Sequence, residues 1–301
     1  MRTPTVTVLT PTYNRASLLP QLFESLKMQT EKDFEWMIID DGSIDETASV
    51  VEKFNEDSSF PIHYEKKKNG GKHTALNYSH PFIRGELVFI VDSDDTLTTD
   101  AISTILKWYN CEKENEEIVC WSFLKTTARQ SNEIERKPIT CTTSDYVSYR
   151  INKHITGDCA EIVRADIFKK YNFPEIQGER FMLESWLWNQ MAKDGYKTVY
   201  INKPIYIFDY LDDGLTKSAR SLRMKNPQGA MIDAKQYLRN PNVCLSVKLK
   251  TMLLFWIYGL SANEKVIEIA RKSGRQMEML LLLPAGYVMF KIWKKKYLKG
   301  E

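Results

Sequence analysis

The stretch Leu87-Val88-Phe89-Ile90-Val91-Asp92-Ser93-Asp94-Asp95 decides the fold. Five consecutive apolar residues bounded by polar ones read as a short strand buried on both faces. That strand ends on three carboxylates. Crowding them is costly unless a cation neutralises them. A hard divalent cation with oxygen ligands, Mn2+ or Mg2+, suits the group and keeps open positions for phosphates. The tetrapeptide Asp92–Asp95 therefore points to a nucleotide or sugar-nucleotide site. A solvated turn that caps the next helix is the plainer alternative.

Working outward, the N-terminal half repeats the same grammar. Val6–Thr10 reads as a first strand, stopped by Pro11. Leu18, Leu19, Leu22, Phe23 and Leu26 then recur at helical spacing. Trp36–Ile39 is a second strand ending at Asp40-Asp41-Gly42-Ser43, and Ser43 with Glu46 has capping-box spacing for a helix from Ile44. Ile62–Tyr64 is a third strand. Gly70-Gly71 turns into a helix from Lys72 to Tyr78. Strands alternating with helices imply an α/β, mostly parallel, doubly wound sheet, with ligands bound outside the carboxyl ends of its strands. Tyr13, Asp41 and Asp92–Asp95 all lie just past such ends, so three distant segments converge on one crevice.

Beyond residue 100 the pattern loosens. Ala101–Tyr109 reads as a helix, Val119–Phe123 as a strand and Phe181–Met191 as a helix. Thr198–Ile201 and Ile205–Phe208 read as two strands split by Asn202-Lys203-Pro204, and 226–301 as wholly helical. The chain has 301 residues, 43% hydrophobic and 12% aromatic, enough for one large domain or two small ones. Residues 271–301 carry 8 Lys+Arg against 2 Asp+Glu, and the remainder 34 against 37. A mildly acidic body with a basic tail makes nucleic acid an improbable partner class. The five cysteines show no CxxC pair and no zinc spacing, which suggests free thiols in a reducing compartment. No signal-peptide h-region opens the chain, so cytoplasmic residence is expected.

Thr10-Pro11-Thr12-Tyr13-Asn14-Arg15, then Asp40-Asp41-Gly42-Ser43, then Asp92-Ser93-Asp94-Asp95, resemble in order and spacing the family 2 glycosyltransferases of GT-A fold. Gln29-Thr30 and Phe34 between the first two motifs agree, and the resemblance covers roughly residues 4–215. Leu211–Thr216 is similar to a segment of bacterial members that build capsule or cell-wall glycans. The resemblance implies a catalytic domain over 1–215, with a nucleotide-sugar half (1–100) and an acceptor half (101–215), and a helical extension over 216–301. It implies a nucleotide-diphosphate sugar donor, with a UDP-sugar preferred, a divalent metal, inversion at the anomeric carbon, and a growing glycan or lipid-linked acceptor in surface polysaccharide synthesis.

It also implies roles for individual residues. Tyr13 would stack on the base, with Thr10 and Pro11 lining the pocket through backbone. Asp41 would accept from a uracil ring nitrogen, with Asp40 as its neighbour. Arg15 would meet phosphate, and Lys72 a phosphate or the base. Asp92 and Ser93 would order the ribose side, while Asp94 is preferred over Asp95 as the metal ligand. Asp158 and Trp186 would face the acceptor. Glu184 occupies the region of the family's Glu-Asp motif, but Ser185 stands where Asp is usual. Glu184 is the preferred base, with Trp186 and Trp188 as an apolar wall, and Glu179 is its rival. No His follows His154, so a downstream histidine ligand is absent. A nucleotidyltransferase would want a Gly-rich basic loop that Thr10–Arg15 does not offer. A binding subunit that has lost its base is the non-enzymatic alternative.

Met279–Phe290 is an uncharged run of 12 residues, short of the ~20 needed to span a bilayer. Lys291, Lys294, Lys295, Lys296 and Lys299 follow, with Trp293 and Tyr297 among them. Such a segment suits a membrane interface, which would place the protein peripherally on the inner face of the plasma membrane.

Overall fold

The computed structural model describes residues 3–127, 138–208 and 215–298. The chain forms two compact units that interleave along the sequence. The first comprises Met1–Asp145, Thr156–Asn172 and Gly195–Asp209, and the second Tyr146–Ile155, Phe173–Asp194 and Tyr210–Glu301. Most of the segment Leu211–Thr216 lies outside the described residues.

The first unit is the expected α/β sheet. Its strands are β1 (Val6–Thr12), β2 (Phe34–Asp40), β3 (Ile62–Lys66), β4 (Leu87–Ile90), β5 (Thr96–Leu97), β6 (Ile118–Thr126), β7 (Cys141–Ser144), β8 (Cys159–Arg164) and β9 (Lys197–Ile207). Its helices are α1 (Leu19–Lys27), α2 (Thr47–Asp57), α3 (Lys72–Ser79), α4 (Ala101–Glu112) and the short α5 (Ala165–Phe168). The sheet order is β3-β2-β1-β4-β8-β6-β9-β5, with β7 also on β9. The first four strands are parallel. β8 runs against both β4 and β6, and β9 is parallel to β6. The carboxyl ends of β1, β2, β3, β4, β6 and β9 therefore share one edge, and the fold gathers its chemistry there.

Every residue of β1, β2 and β4 is buried, as strands covered on both faces require. Trp36 is fully buried and gives its indole N–H to Thr10 Oγ1 at 3.0 Å. Phe23 stacks on Phe54 with centroids 4.3 Å apart. Each such aromatic side chain contributes about 2–3 kcal/mol through burial.

Three local expectations need correction. Pro11 does not stop β1, which pairs with β2 as far as Thr12–Asp40. β4 leaves β1 after the Leu9–Ile90 pair, so the missing N–H of Pro11 costs no ladder bond to it. Asn202-Lys203-Pro204 does not split β9. Ser122 pairs with Tyr200 and Leu124 with Pro204, so β9 places four steps against two of β6 in a bulge. The helix after Ser43 begins only at Thr47. Ser43 Oγ instead accepts the Asn14 N–H at 2.8 Å, and Asp45 Oδ1 accepts the Thr47 N–H at 3.2 Å.

The second unit is helical. It contains a π-helical turn (Val147–Ile151), α6 (Ser185–Lys193), α7 (Leu215–Lys225), α8 (Pro227–Arg239), α9 (Leu245–Ser261), α10 (Val266–Ser273) and α11 (Gln276–Tyr297). Trp256 of α9 is fully buried and donates to the Met279 carbonyl at 2.9 Å. α11 lies so close to it that a Cβ on Gly286 would come within 2.6 Å of Trp256 Cβ.

Candidate active site

The carboxyl edge of the sheet carries two acidic loops. The first follows β2. Asp41 is buried, and its carboxylate is wrapped by the 67–71 segment. Oδ1 accepts from Lys67 Nζ at 2.7 Å and the Gly70 N–H at 2.9 Å. Oδ2 accepts from the Gly71 N–H at 2.6 Å and Asn69 Nδ2 at 3.1 Å. Four bonds fill the acceptor capacity of one carboxylate. Gly42 at φ +86° leaves room for this wrap, since a Cβ there would meet Asn69 N at 2.8 Å. Asp40 is also committed, accepting from the Ser43 N–H at 2.7 Å and Tyr64 Oη at 2.6 Å.

The loop after β1 is lashed to this one. Asn14 adopts the left-handed region at φ 52°. Its side chain accepts the Ile44 N–H at 2.9 Å, and Asp45 accepts the Ala16 N–H at 3.0 Å. Tyr13 stands 44% exposed beside them, free to offer a ring face. Thr10 and Pro11 are buried, and the Thr10 hydroxyl is taken by Trp36. Arg15 is half-buried where its carbonyl starts the first turn leading into α1.

The second acidic loop follows β4 and is neutralised less completely. Asp92 is half-buried and ion-paired to Lys72 at the start of α3. Burial pushes its carboxyl up, but Lys72 and then Lys125 outweigh that and hold it below the ordinary value. Ser93 and Asp95 are buried. The fully buried Tyr206 of β9 ties the turn together. Its hydroxyl donates to Asp95 Oδ2 at 2.7 Å and accepts the Asp92 N–H at 2.9 Å. Burial first, and then the Asp92 charge, push Asp95 up to about 7. Asp94 is half-exposed and makes no hydrogen bond or ion pair among the described residues.

The residues expected on the acceptor side fall differently. Asp158 is exposed, just before β8. Trp186 is only 9% exposed and packs on Phe173 with centroids 5.4 Å apart. It is a core residue of the helical unit and does not offer a face to a sugar. Glu179 is a helix cap: its two oxygens accept the Gln228 and Gly229 N–H groups at 2.8 and 2.7 Å, satisfying the start of α8. Glu184 is half-buried at the N-cap of α6. The next residue, Ser185, donates to the buried Asp233 of α8 at 3.0 Å.

The sequence profile of glycosyl transferase family 2 matches residues 7–171, from β1 to just past α5. The chain belongs to glycosyl transferase family 2. It is therefore a glycosyltransferase. A Campylobacter jejuni GalNAc(5)-diNAcBac-PP-undecaprenol β-1,3-glucosyltransferase is 27% identical over 72% of this chain and 68% of its own length. The chain spans less than half the length of the next curated relatives it matches. S. aureus TarS 1–349 superposes with TM-score 0.63 at 17% identity, covering 98% of this chain and 92% of that one. The Pyrobaculum calidifontis mannosyltransferase PcManGT, solved with GDP-Man and Mn2+, gives 0.60 at 18%, covering 99% and 84%. These likenesses establish the GT-A fold with a helical C-terminal region.

The matched stretch contains the loops after β1, β2 and β4. Three residues at the same edge escaped sequence reasoning, Lys67, Lys125 and Tyr206, and Asn14 stood in the first motif without a role. Lys67 lies just before the Gly70-Gly71 turn and could have been flagged by proximity. Lys125 and Tyr206 sit in β6 and β9 without any local motif, and only the sheet order brings them here. The surface hollow of about 600 Å³ lined by Cys111, Glu112, Glu114, Asn115, Glu116 and Glu117 precedes β6, at the opposite edge, and is not part of this site.

Proposed function

We propose that this family 2 glycosyltransferase moves a sugar from a UDP-sugar to a hydroxyl of a growing glycan or lipid-linked acceptor by an inverting, metal-dependent single displacement. The observation that carries the donor reading is the under-neutralised Asp92–Asp95 turn beside Lys72. Among the described residues no three His, Cys, Asp or Glu side chains form a ready-made metal cage. The donor set still fits a hard cation held openly. Asp94 makes no hydrogen bond or ion pair among the described residues, and burial first, then the Asp92 charge, push Asp95 up to about 7. Mg2+-type sites commonly use one or two carboxylates plus substrate phosphates. Asp94 would hold the ion, and Asp95 could join it on giving up Tyr206. The ion would supply positive charge to the departing diphosphate.

Tyr13 stacks the base. Asp41 reads the ring only if the base displaces one of its four present donors, so its first task is to shape the 67–71 segment. Glu184 takes the proton of the attacking hydroxyl. A C. jejuni relative named for an undecaprenol-linked acceptor and a TarS structure with UDP-GlcNAc support the substrate classes.

α11 supports a membrane surface as partner. Met277, Leu280, Leu281, Tyr287, Val288 and Ile292 are all exposed, while Met279 and Phe290 are buried. Lys291, Lys294, Lys295 and Lys296 continue the exposed face, so its charge matches anionic headgroups. No helix among the described residues is long and apolar enough to cross a membrane.

Thermal-shift measurements with UDP, GDP and CDP, each with and without Mn2+, test the donor reading. A metal-dependent shift largest for UDP is expected, and equal metal-free shifts would sink it. Glu184→Gln should retain the UDP shift and lose transfer by about 10³-fold. Full transfer in that variant removes Glu184 as base. Sedimentation with phosphatidylglycerol vesicles should fall on Leu281→Glu/Val288→Glu, and unchanged sedimentation would remove α11 as the contact.

A further inference from the structure

Lys125 is the residue at the carboxyl edge whose role remains open. β6 and β9 run parallel with Lys125 opposite Tyr206, each near the end of its strand. The Lys125 ammonium rests 3.9 Å from the centroid of the Tyr206 ring. The same ring carries the hydroxyl that joins Asp92 and Asp95. Three other lysines of this edge are committed, Lys66 to the Ser43 carbonyl, Lys67 to Asp41 and Lys72 to Asp92. Lys125 joins no ion pair among the described residues.

A lysine held on an aromatic face by a cation–π contact is only weakly tied there. Its four-carbon stem lets the ammonium move by several ångström without moving the strand. A nucleoside diphosphate approaching three carboxylates needs positive charge, and Lys72 is already balanced by Asp92. We propose that Lys125 is a donor-diphosphate-binding residue, moving from the Tyr206 ring onto the phosphate oxygens. During transfer the acceptor oxygen bonds the anomeric carbon and gives up its proton to the general base, while the bond from that carbon to the diphosphate oxygen breaks; the electron pair stays on the phosphate, and Lys125 compensates the charge that appears there. This deepens the UDP-sugar reading and rests on it.

Calorimetric titration of UDP and of uridine, in Mg2+ buffer, into wild type, Lys125→Met and Lys125→Arg tests the assignment. Lys125→Met is expected to weaken UDP about tenfold and leave uridine unchanged, because only UDP carries the diphosphate. Lys125→Arg should recover UDP affinity to within about threefold of wild type, since it restores the cation. An unchanged UDP affinity in Lys125→Met overturns the proposal. Equal weakening of UDP and uridine also overturns it, making Lys125 a prop for Tyr206. Wild type that binds UDP no tighter than uridine would instead defeat the donor reading itself, before any variant is compared.

Discussion

β2 and β4 flank β1 on opposite sides, and each ends in an acidic loop at the same edge of the sheet. After β2, Asp41 is buried and answered by four donors, one of them the Lys67 ammonium. After β4, Asp92 has Lys72, Asp95 has one phenolic hydroxyl, and Asp94 has no partner among the described residues. A carboxylate with a full set of donors is part of the architecture. A carboxylate left short of them marks where something else must supply charge. Similar acidic motifs thus divide into one that builds the pocket and one that awaits its contents.

The sharpest way to break that contrast is Asp94→Asn. It should reduce transfer by roughly 10³-fold, about 4 kcal/mol of barrier, and abolish the metal dependence of the UDP shift. Stability without ligand should stay within about 0.5 kcal/mol, because Asp94 makes no internal bond. Steady-state rates, metal titrations and urea unfolding read the three quantities. Wild-type metal dependence in this variant would transfer the ligand role to Asp95.

Asp41→Asn should show the opposite profile. Removing the charge leaves Lys67 buried beside a neutral group, and the new amide N–H group faces backbone donors. A loss of about 3 kcal/mol in urea unfolding follows. Loss of UDP affinity should follow as the 67–71 segment loosens, by similar factors for UDP and GDP. An Asp41→Asn protein as stable as wild type that no longer separates UDP from GDP would reverse the assignment and make Asp41 a reader of the base.

The contrast also shows what the sequence made legible. Apolar runs ending in acids located both loops, because a strand buried on both faces has a distinctive composition and its end is where ligands bind. How each loop is neutralised was not legible. Lys67 lies 26 residues from Asp41 and Tyr206 lies 111 from Asp95. Pairings of that span follow from sheet order, which no local pattern encodes. Ser43 and Glu46 mimicked a capping box, but Asn14 took Ser43, and Asp45 accepts the Thr47 N–H at the start of α2. Glu179 was read as a rival base because its rank among carboxylates could be seen. The start of α8, which occupies both its oxygens, is some 50 residues downstream. The tail was legible as apolar and then basic, and the structure adds that Leu280, Leu281, Tyr287, Val288 and Ile292 are exposed on the same helix as its lysines.

Asp233 offers a third way to neutralise a carboxylate and gives the smallest predicted effect. It lies in α8 and is 5% exposed. Burial pushes it up to about 6, with Ser185 and the charge of Arg223 on α7 only partly opposing that. Tyr237 beside it and Tyr258 on α9 are neutral at ordinary pH, their hydroxyls raised by burial. Between the unfolded value of 3.8 and about 6 the folded chain binds more protons than the unfolded chain. Stability therefore falls as pH rises through that window, by roughly 3 kcal/mol in all, and the cost is absent below it. Asp233→Asn keeps an acceptor for Ser185 and deletes the titration. It should gain about 2 kcal/mol in urea unfolding at pH 7.5 and nothing at pH 4. Equal stability of the two proteins at both pH values would mean that Arg223 neutralises Asp233 as fully as Lys67 and its neighbours neutralise Asp41. Asp233 would then belong with the carboxylates that build the fold and not with those left in need of charge.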